Sequence, residues 1–163
     1  MPALAPKSID WIATAPVQIE QSVAIDAPVE RVWDHLVDNN AWINWFPGMS
    51  ECRFTSEPPH SVDSIRSVHL DQFKVTERII AWEPSRRWGM TVLEINAPVL
   101  AAMAEEATLT ADSSGATKLD FRIGIELSSI GRLLRRPLVG RQTTGLKTAL
   151  ANLRSECEQV ART

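Results

Sequence analysis

Apolar residues alternate with polar ones at the start of the ordered pattern: Val17, Ile19, Val23 and Ile25 are separated by Gln18, Glu20, Ser22 and Ala24. A period of two is that of a half-buried strand, and it predicts the first strand over Pro16–Ile25. Asp26-Ala27-Pro28 reads as a helix start, with Asp26 capping free N–H groups and Pro28 suited to the first turn. Val29, Val32, Trp33, Leu36 and Val37 follow at i, i+3, i+4, i+7 and i+8, with Glu30, Arg31 and Asp34 on the other side. That spacing predicts a short amphipathic helix. Asn39-Asn40 interrupts it, and residues 41–46 predict a second short helix that Pro47-Gly48 stops.

Beyond Met49 the period becomes that of strands. The segments Ser50–Ser56, Asp63–Leu70, Phe73–Trp82, Arg86–Asn96, Met103–Asp112 and Thr117–Ser128 are separated by turn-forming Pro58-Pro59, Asp71-Gln72, Glu83-Pro84-Ser85 and Ser113-Ser114-Gly115. Strands joined by short turns predict an antiparallel meander. The last strand is the clearest, with Leu119, Phe121, Ile123, Ile125 and Leu127 on one face and Lys118, Asp120, Arg122 and Glu126 on the other. Helical period then returns in the stripe Leu146, Ala149, Leu150, Leu153, Cys157 and Val160. Ile130, Leu133 and Leu134 begin a similar stripe upstream, and Pro137 and Gly140 predict a break or kink between the two. Residues 1–15 read as an ill-ordered arm or an added edge segment, and residues 16–163 as one domain.

Composition narrows the class. Charged residues are 23% of the chain and hydrophobic ones 44%, the balance of a globular protein rather than a disordered one. No stretch approaches the roughly 18 apolar residues of a membrane-spanning helix. Net charge is −3, and the one dense basic cluster is Arg132, Arg135, Arg136 and Arg141, too narrow a footprint for nucleic acid. With Ile130, Leu133 and Leu134 turned inward, those arginines form a solvated face; the alternative is contact with an anionic membrane surface or an acidic partner. Cys52 and Cys157 match no metal spacing, and His35, His60 and His69 form no ligand pair, so neither metal nor cofactor is expected. The N-terminus lacks a signal-like apolar run, which with the unpaired thiols reads as a cytoplasmic protein, monomeric or homodimeric. Six Trp and four Phe with no Tyr supply large apolar surfaces with few polar handles, suited to core packing or to an apolar pocket.

The order of elements resembles the START-like (SRPBCC) superfamily, and most nearly its polyketide cyclase/dehydrase and lipid-transport branch. Ile25-Asp26-Ala27-Pro28-Val29-Glu30-Arg31-Val32-Trp33 carries the resemblance best, with looser matches in Trp45-Phe46-Pro47-Gly48-Met49, in Thr76–Pro84 and in Arg86-Arg87-Trp88. The resemblance implies an α+β helix-grip fold, in which a curved antiparallel sheet of about seven strands wraps a long C-terminal helix around a ligand cavity. It does not identify the ligand, since fold and function separate in such superfamilies.

The Asp71-Gln72 turn fixes a register. A two-residue loop sets Leu70 opposite Phe73, Val68 opposite Val75 and Arg66 opposite Glu77, and opposite side chains share a face. Arg66 and Glu77 therefore interrupt the apolar face of Val68, Leu70, Phe73, Val75 and Ile79, while Ser67, His69, Lys74, Thr76 and Arg78 face outward. One reading makes the pair the polar end of a cavity, where Glu77 can also serve as a general acid or base. The other makes it a fixed ion pair that pins the register. Trp42, Trp45 and Phe46 at the rim, Trp88, Met90, Phe121 and Ile123 on the sheet, and Leu134, Leu146 and Leu150 on the helix complete the expected lining, or else are plain core. A pocket reading calls for several hundred Å3, within the usual range of about 300–1,000 Å3. His35 and His69 read as surface residues, since no nucleophile accompanies them. Three functions remain: a carrier or sensor of a lipid-like, aromatic or polyketide-like molecule; a cyclase/dehydratase using Glu77, the one acid/base group expected to face inward; or an interaction module with a vestigial cavity.

Overall fold

The computed structural model describes the backbone of residues 1–161 and the side chains of residues 1–159. Seven strands, β1 (Val17–Ile25), β2 (Met49–Phe54), β3 (Ile65–Leu70), β4 (Phe73–Glu83), β5 (Arg87–Ile95), β6 (Leu100–Ala111) and β7 (Thr117–Leu127), form one sheet in the order β1-β7-β6-β5-β4-β3-β2. Every neighbouring pair is antiparallel. Helices α1 (Val29–Val37) and α2 (Asn39–Trp45) lie between β1 and β2, while α3 (Ser129–Leu133) and α4 (Arg135–Ala161) follow β7. This is the α+β helix-grip architecture, with the sheet curved around α4.

Local chemistry sets the boundaries. The Asp38 carboxylate accepts the Asn40 N–H at 2.9 Å, so Asn39-Asn40, expected to interrupt a helix, instead opens α2. Pro137 falls in the first turn of α4, where its missing N–H leaves no intrahelical bond unmade. The expected break at Pro137 and Gly140 is therefore absent, and α4 runs 27 residues. Its buried stripe is Leu146, Ala149, Leu150, Leu153 and Cys157; Val160, the last residue predicted for that stripe, lies outside the described side chains. Asn152 donates to the Trp45 carbonyl at 3.1 Å, and the Asp26 N–H donates to Glu158 at 3.0 Å. These two bonds tie α4 to α2 and to the turn after β1.

The segment before β1, expected as an ill-ordered arm or an added edge segment, packs against the sheet. Residues Ile9–Thr14 form a 3-10 helix that lies on the convex face of the sheet, and Ile12 is fully buried there. Gly124 of β7 makes the approach possible: a Cβ at that position would lie 3.0 Å from the Ile12 Cα. Further upstream the arm enters the sheet. β5 and β6 pair only between Arg87↔Thr108 and Thr91↔Ala104, and beyond that point the strands part. The Leu4 N–H donates to the Leu93 carbonyl at 2.8 Å and the Ala5 N–H to the Ala101 carbonyl at 3.3 Å. These two arm residues thus bridge strands that no longer reach each other, satisfying backbone groups otherwise left bare.

A second correction concerns α3. Ile130, Leu133 and Leu134 were expected to face inward, yet they are 51%, 86% and 47% exposed. The face that docks is that of Gly131, packed so tightly that a Cβ there would sit 2.0 Å from the Val99 carbonyl oxygen. Only glycine permits that contact, and it turns the aliphatic side chains to solvent.

Candidate functional site

The hairpin of β3 and β4 has the register its two-residue loop dictates: Leu70↔Phe73, Val68↔Val75 and Arg66↔Glu77. Leu70, Val68, Phe73 and Val75 line a cavity beneath the sheet, and Arg66 and Glu77 close one end of it. Val92, Ile95, Met103, Ile125 and Leu127 continue the apolar wall, with Leu138, Val139 and Gln142 of α4 over it. The free space is about 120 Å3, smaller than the several hundred Å3 expected. Side chains expected to line it pack as core instead: Trp45, Trp88, Phe121 and Ile123 are fully buried and lie outside the lining. A roomier cleft of about 530 Å3 adjoins the chamber, bounded by Pro47, Gly48, Asp71, Thr144 and Thr148. Phe46, Leu70, Phe73, Leu138 and Gln142 belong to both walls and form the partition.

Of the fourteen side chains expected to bind ligand, the structure brings Trp42, Phe46, Arg66, Val68, Val75, Glu77 and Met90 to the chamber. Leu146 lines the outer cleft instead, and Leu150 faces the core. Leu134 is displaced to the surface with the rest of the α3 corner, for the reason given above.

The polar end is dense with charge. Arg66 Nε donates to Glu77 Oε2 at 2.5 Å, and its Nη1 donates to Asn39 Oδ1 at 3.4 Å. The guanidinium is covered by Trp42 at 4.4 Å and Trp88 at 4.8 Å from their ring centroids, a desolvated cation–π arrangement. Burial is the largest single influence on Arg66 and opposes its charge, but the acidic groups around it, Glu77 first and then Cys52 and Glu105, together hold the guanidinium above its ordinary range. Trp88 thus acts as a backing plate for Arg66.

Sequence reasoning missed a third ionisable group. Glu105 stands opposite Met90 on β5 and Ile123 on β7, so it shares their inward face and lines the chamber. It is 5% exposed. Burial pushes its carboxyl up to about 8, with repulsion from Glu77 adding to the shift and Arg66 partly offsetting it. At neutral pH the polar end therefore holds an ion pair beside a protonated carboxylic acid. The idea of a single inward acid/base group is thereby corrected.

Elsewhere, His35 Nδ1 lies 2.9 Å from the Arg31 carbonyl oxygen on its own helix, and His69 lies 3.8 Å from Glu51 on the outer face. Burial raises the thiols of Cys52 and Cys157 to about 11 and about 12, which makes both poor nucleophiles at neutral pH. Arg141 contacts Asp71 at 2.5 Å and joins α4 to the β3–β4 turn across the outer cleft. Arg132, Arg135 and Arg136 are exposed beside the uncovered leucines. No helix among the described residues is long and apolar enough to cross a membrane.

A sheet gripping one long helix around an apolar chamber with a polar end defines a ligand-cavity protein of the helix-grip class. Residues 16–158 match the family described as polyketide cyclase/dehydrase and lipid transport, and the chain belongs to that family. Among solved structures it is similar to the Zhui aromatase/cyclase of Streptomyces sp. R1128, with a TM-score of 0.80 and 19% identity over 90% of this chain and 96% of that one. A START superfamily protein of Mycobacterium smegmatis superposes with a TM-score of 0.71 at 13% identity, over 88% of this chain and 98% of that one. At such identities the likeness establishes the fold alone. An uncharacterised protein of Mycobacterium tuberculosis is 26% identical over 150 residues, 90% of this chain and 87% of its own length.

Proposed function

We propose that this protein is a container for one small hydrophobic molecule, carrying or sensing it rather than transforming it. The observation that carries this reading is the chamber itself, apolar along its length and closed by Arg66, Glu77 and Glu105. Its volume approaches the roughly 150 Å3 of a dry apolar cavity known to accept benzene, so a head group of about one ring fits. A longer ligand would extend past Phe46 and Leu138 into the outer cleft. The open chamber favours this reading over an interaction module with a vestigial cavity. Mass spectrometry of material extracted from the purified protein tests it: a stoichiometric hydrophobe is expected, and a chamber empty of any organic molecule after expression in several hosts would sink the reading.

One observation favours an enzyme as the second reading. Glu77 is held against Arg66 while Glu105 is buried without a partner and its carboxyl is pushed up to about 8, so two carboxyls stand in unlike surroundings in one pocket, a pattern that can divide acid and base roles. The aromatase/cyclase likeness points the same way by analogy of fold. Conversion of the extracted molecule on incubation with fresh protein would move the assignment to a cyclase or dehydratase.

We also propose that loading takes place at an anionic membrane surface, from the cytoplasmic side. Residues 127–155 contain no Asp or Glu but carry Arg132, Arg135, Arg136, Arg141, Lys147 and Arg154. Exposed Leu133 beside three arginines combines an apolar insertion point with headgroup charge, close to the α4 residues that roof the chamber.

A further inference from the structure

Among the described residues Glu105 is the one carboxyl at the polar end without a counterpart. Arg66 and Glu77 satisfy one another, and Asn39 takes a further guanidinium N–H. The faces of Arg66 are spent on Trp42 and Trp88. Among the described residues Glu105 has no hydrogen-bond or ion-pair partner, although it is 95% hidden from solvent and borders free space. Among the described residues lining the chamber, β3 supplies Arg66 and β4 supplies Glu77 as the other ionisable side chains, whereas those of β5, β7 and α4 carry no charge.

A carboxylate in that position would be a buried, unpaired charge next to another carboxylate, so the neutral acid is the form that the surroundings permit. A neutral acid brings an O–H donor, and a buried donor without an acceptor costs free energy that an incoming acceptor recovers. Charge selects further. Arg66, the only cation among the described residues of this end, is already paired with Glu77, so an anionic ligand would enter a dry pocket with no free positive charge to meet it.

We propose that Glu105 selects the ligand: its carboxylic O–H donates a hydrogen bond to a carbonyl or similar neutral acceptor on the ring that fills the chamber, and the site takes uncharged molecules. The assignment rests on the container reading and goes beyond it by naming the ligand's chemistry. No bond is made or broken in the interaction.

The test uses the full chain and three probes of near-equal size: acetophenone, isopropylbenzene and benzoate. Affinity is measured by calorimetry or ligand-observed NMR. At pH 6.5 acetophenone is expected to bind at least tenfold more tightly than isopropylbenzene, and benzoate weakest of the three. Because neither neutral probe titrates, ionisation of Glu105 should erase the ketone preference by pH 9.5. Glu105→Gln keeps a donor, so it should retain the preference and lose its pH dependence. Glu105→Met should bind the two neutral probes equally. Equal affinity for both in the wild type, a ketone preference surviving in Glu105→Met, or benzoate bound most tightly would each overturn the proposal. Failure of all three probes to bind would count against the container reading first, and the assignment would fall with it.

Discussion

Glu105 and Glu106 are consecutive residues of β6, each 5% exposed, yet they occupy opposite worlds. On the convex face Glu106 accepts from Arg122 Nη2 at 2.7 Å and Nε at 3.0 Å, with Arg87 at 3.6 Å. On the concave face Glu105 meets a cavity, a like charge two strands away and no donor. Equal burial has produced a satisfied structural anchor in one case and an unsatisfied group in the other. The difference shows that a site is marked less by a hidden ionisable group than by one whose partner is missing.

Several substitutions should break or sharpen this contrast. The largest effect is expected from Arg66→Ala, which leaves Glu77 buried without its cation; a loss of about 3–5 kcal/mol is usual for breaking such a pair, read as a fall in Tm of roughly 10 °C. Glu106→Ala should cost less, about 1–2 kcal/mol, because Arg122 and Arg87 are partly solvated and their attraction is screened. Glu105→Met should go the other way in denaturant titration, gaining on the order of 1 kcal/mol by replacing an unpartnered polar group with an apolar one of similar length. A Glu105→Met variant less stable than Glu106→Ala would abolish the distinction.

The pH dependence follows from the same residue. Its folded pKa of about 8 exceeds the 4.5 of an ordinary carboxyl, so between those values the folded state holds a proton that the unfolded chain has released. Stability should therefore fall as pH rises from about 4.5 toward 8, by up to roughly 1 kcal/mol per unit, and flatten above it. Subtracting the Glu105→Gln curve isolates that slope; identical curves would mean that Glu105 is charged throughout. The smallest effect concerns the α3 corner. Leu133→Ser combined with Arg132→Ala, Arg135→Ala and Arg136→Ala should abolish sedimentation with phosphatidylglycerol vesicles while leaving Tm within a degree or two, since these side chains are solvated.

What the sequence disclosed depended on how tightly each segment's neighbours constrain it. The two-residue loop at Asp71-Gln72 admits one register, so Arg66↔Glu77 was legible from spacing alone. β6 gave no such footing. Ala101, Ala102, Ala104 and Ala107 blur its alternation, and the adjacent acids Glu105 and Glu106 cannot be assigned to faces by periodicity. The signal lay in β7, whose clear alternation, carried back across the turn at Ser113-Ser114-Gly115, sets Glu105 against the inward Ile123. The α3 error had another source: apolar period marks a buried face only when nothing smaller packs better, and Gly131 does. Cavity size was not legible, because the same aromatic residues that can line a pocket can also fill it.

The short arm threaded between β5 and β6 bears on how long a guest stays. Val92, Ile95, Leu100 and Met103, which wall the chamber, lie along or beside the stretch where those strands have parted, and the backbone bonds of Leu4 and Ala5 close the seam. Among the described residues, those two bonds are all that the backbone offers to hold this seam shut. Trimming the first eight residues should raise the dissociation rate of any bound molecule without altering a single lining side chain, making the N-terminus a dial for residence time that leaves the chemistry of recognition untouched.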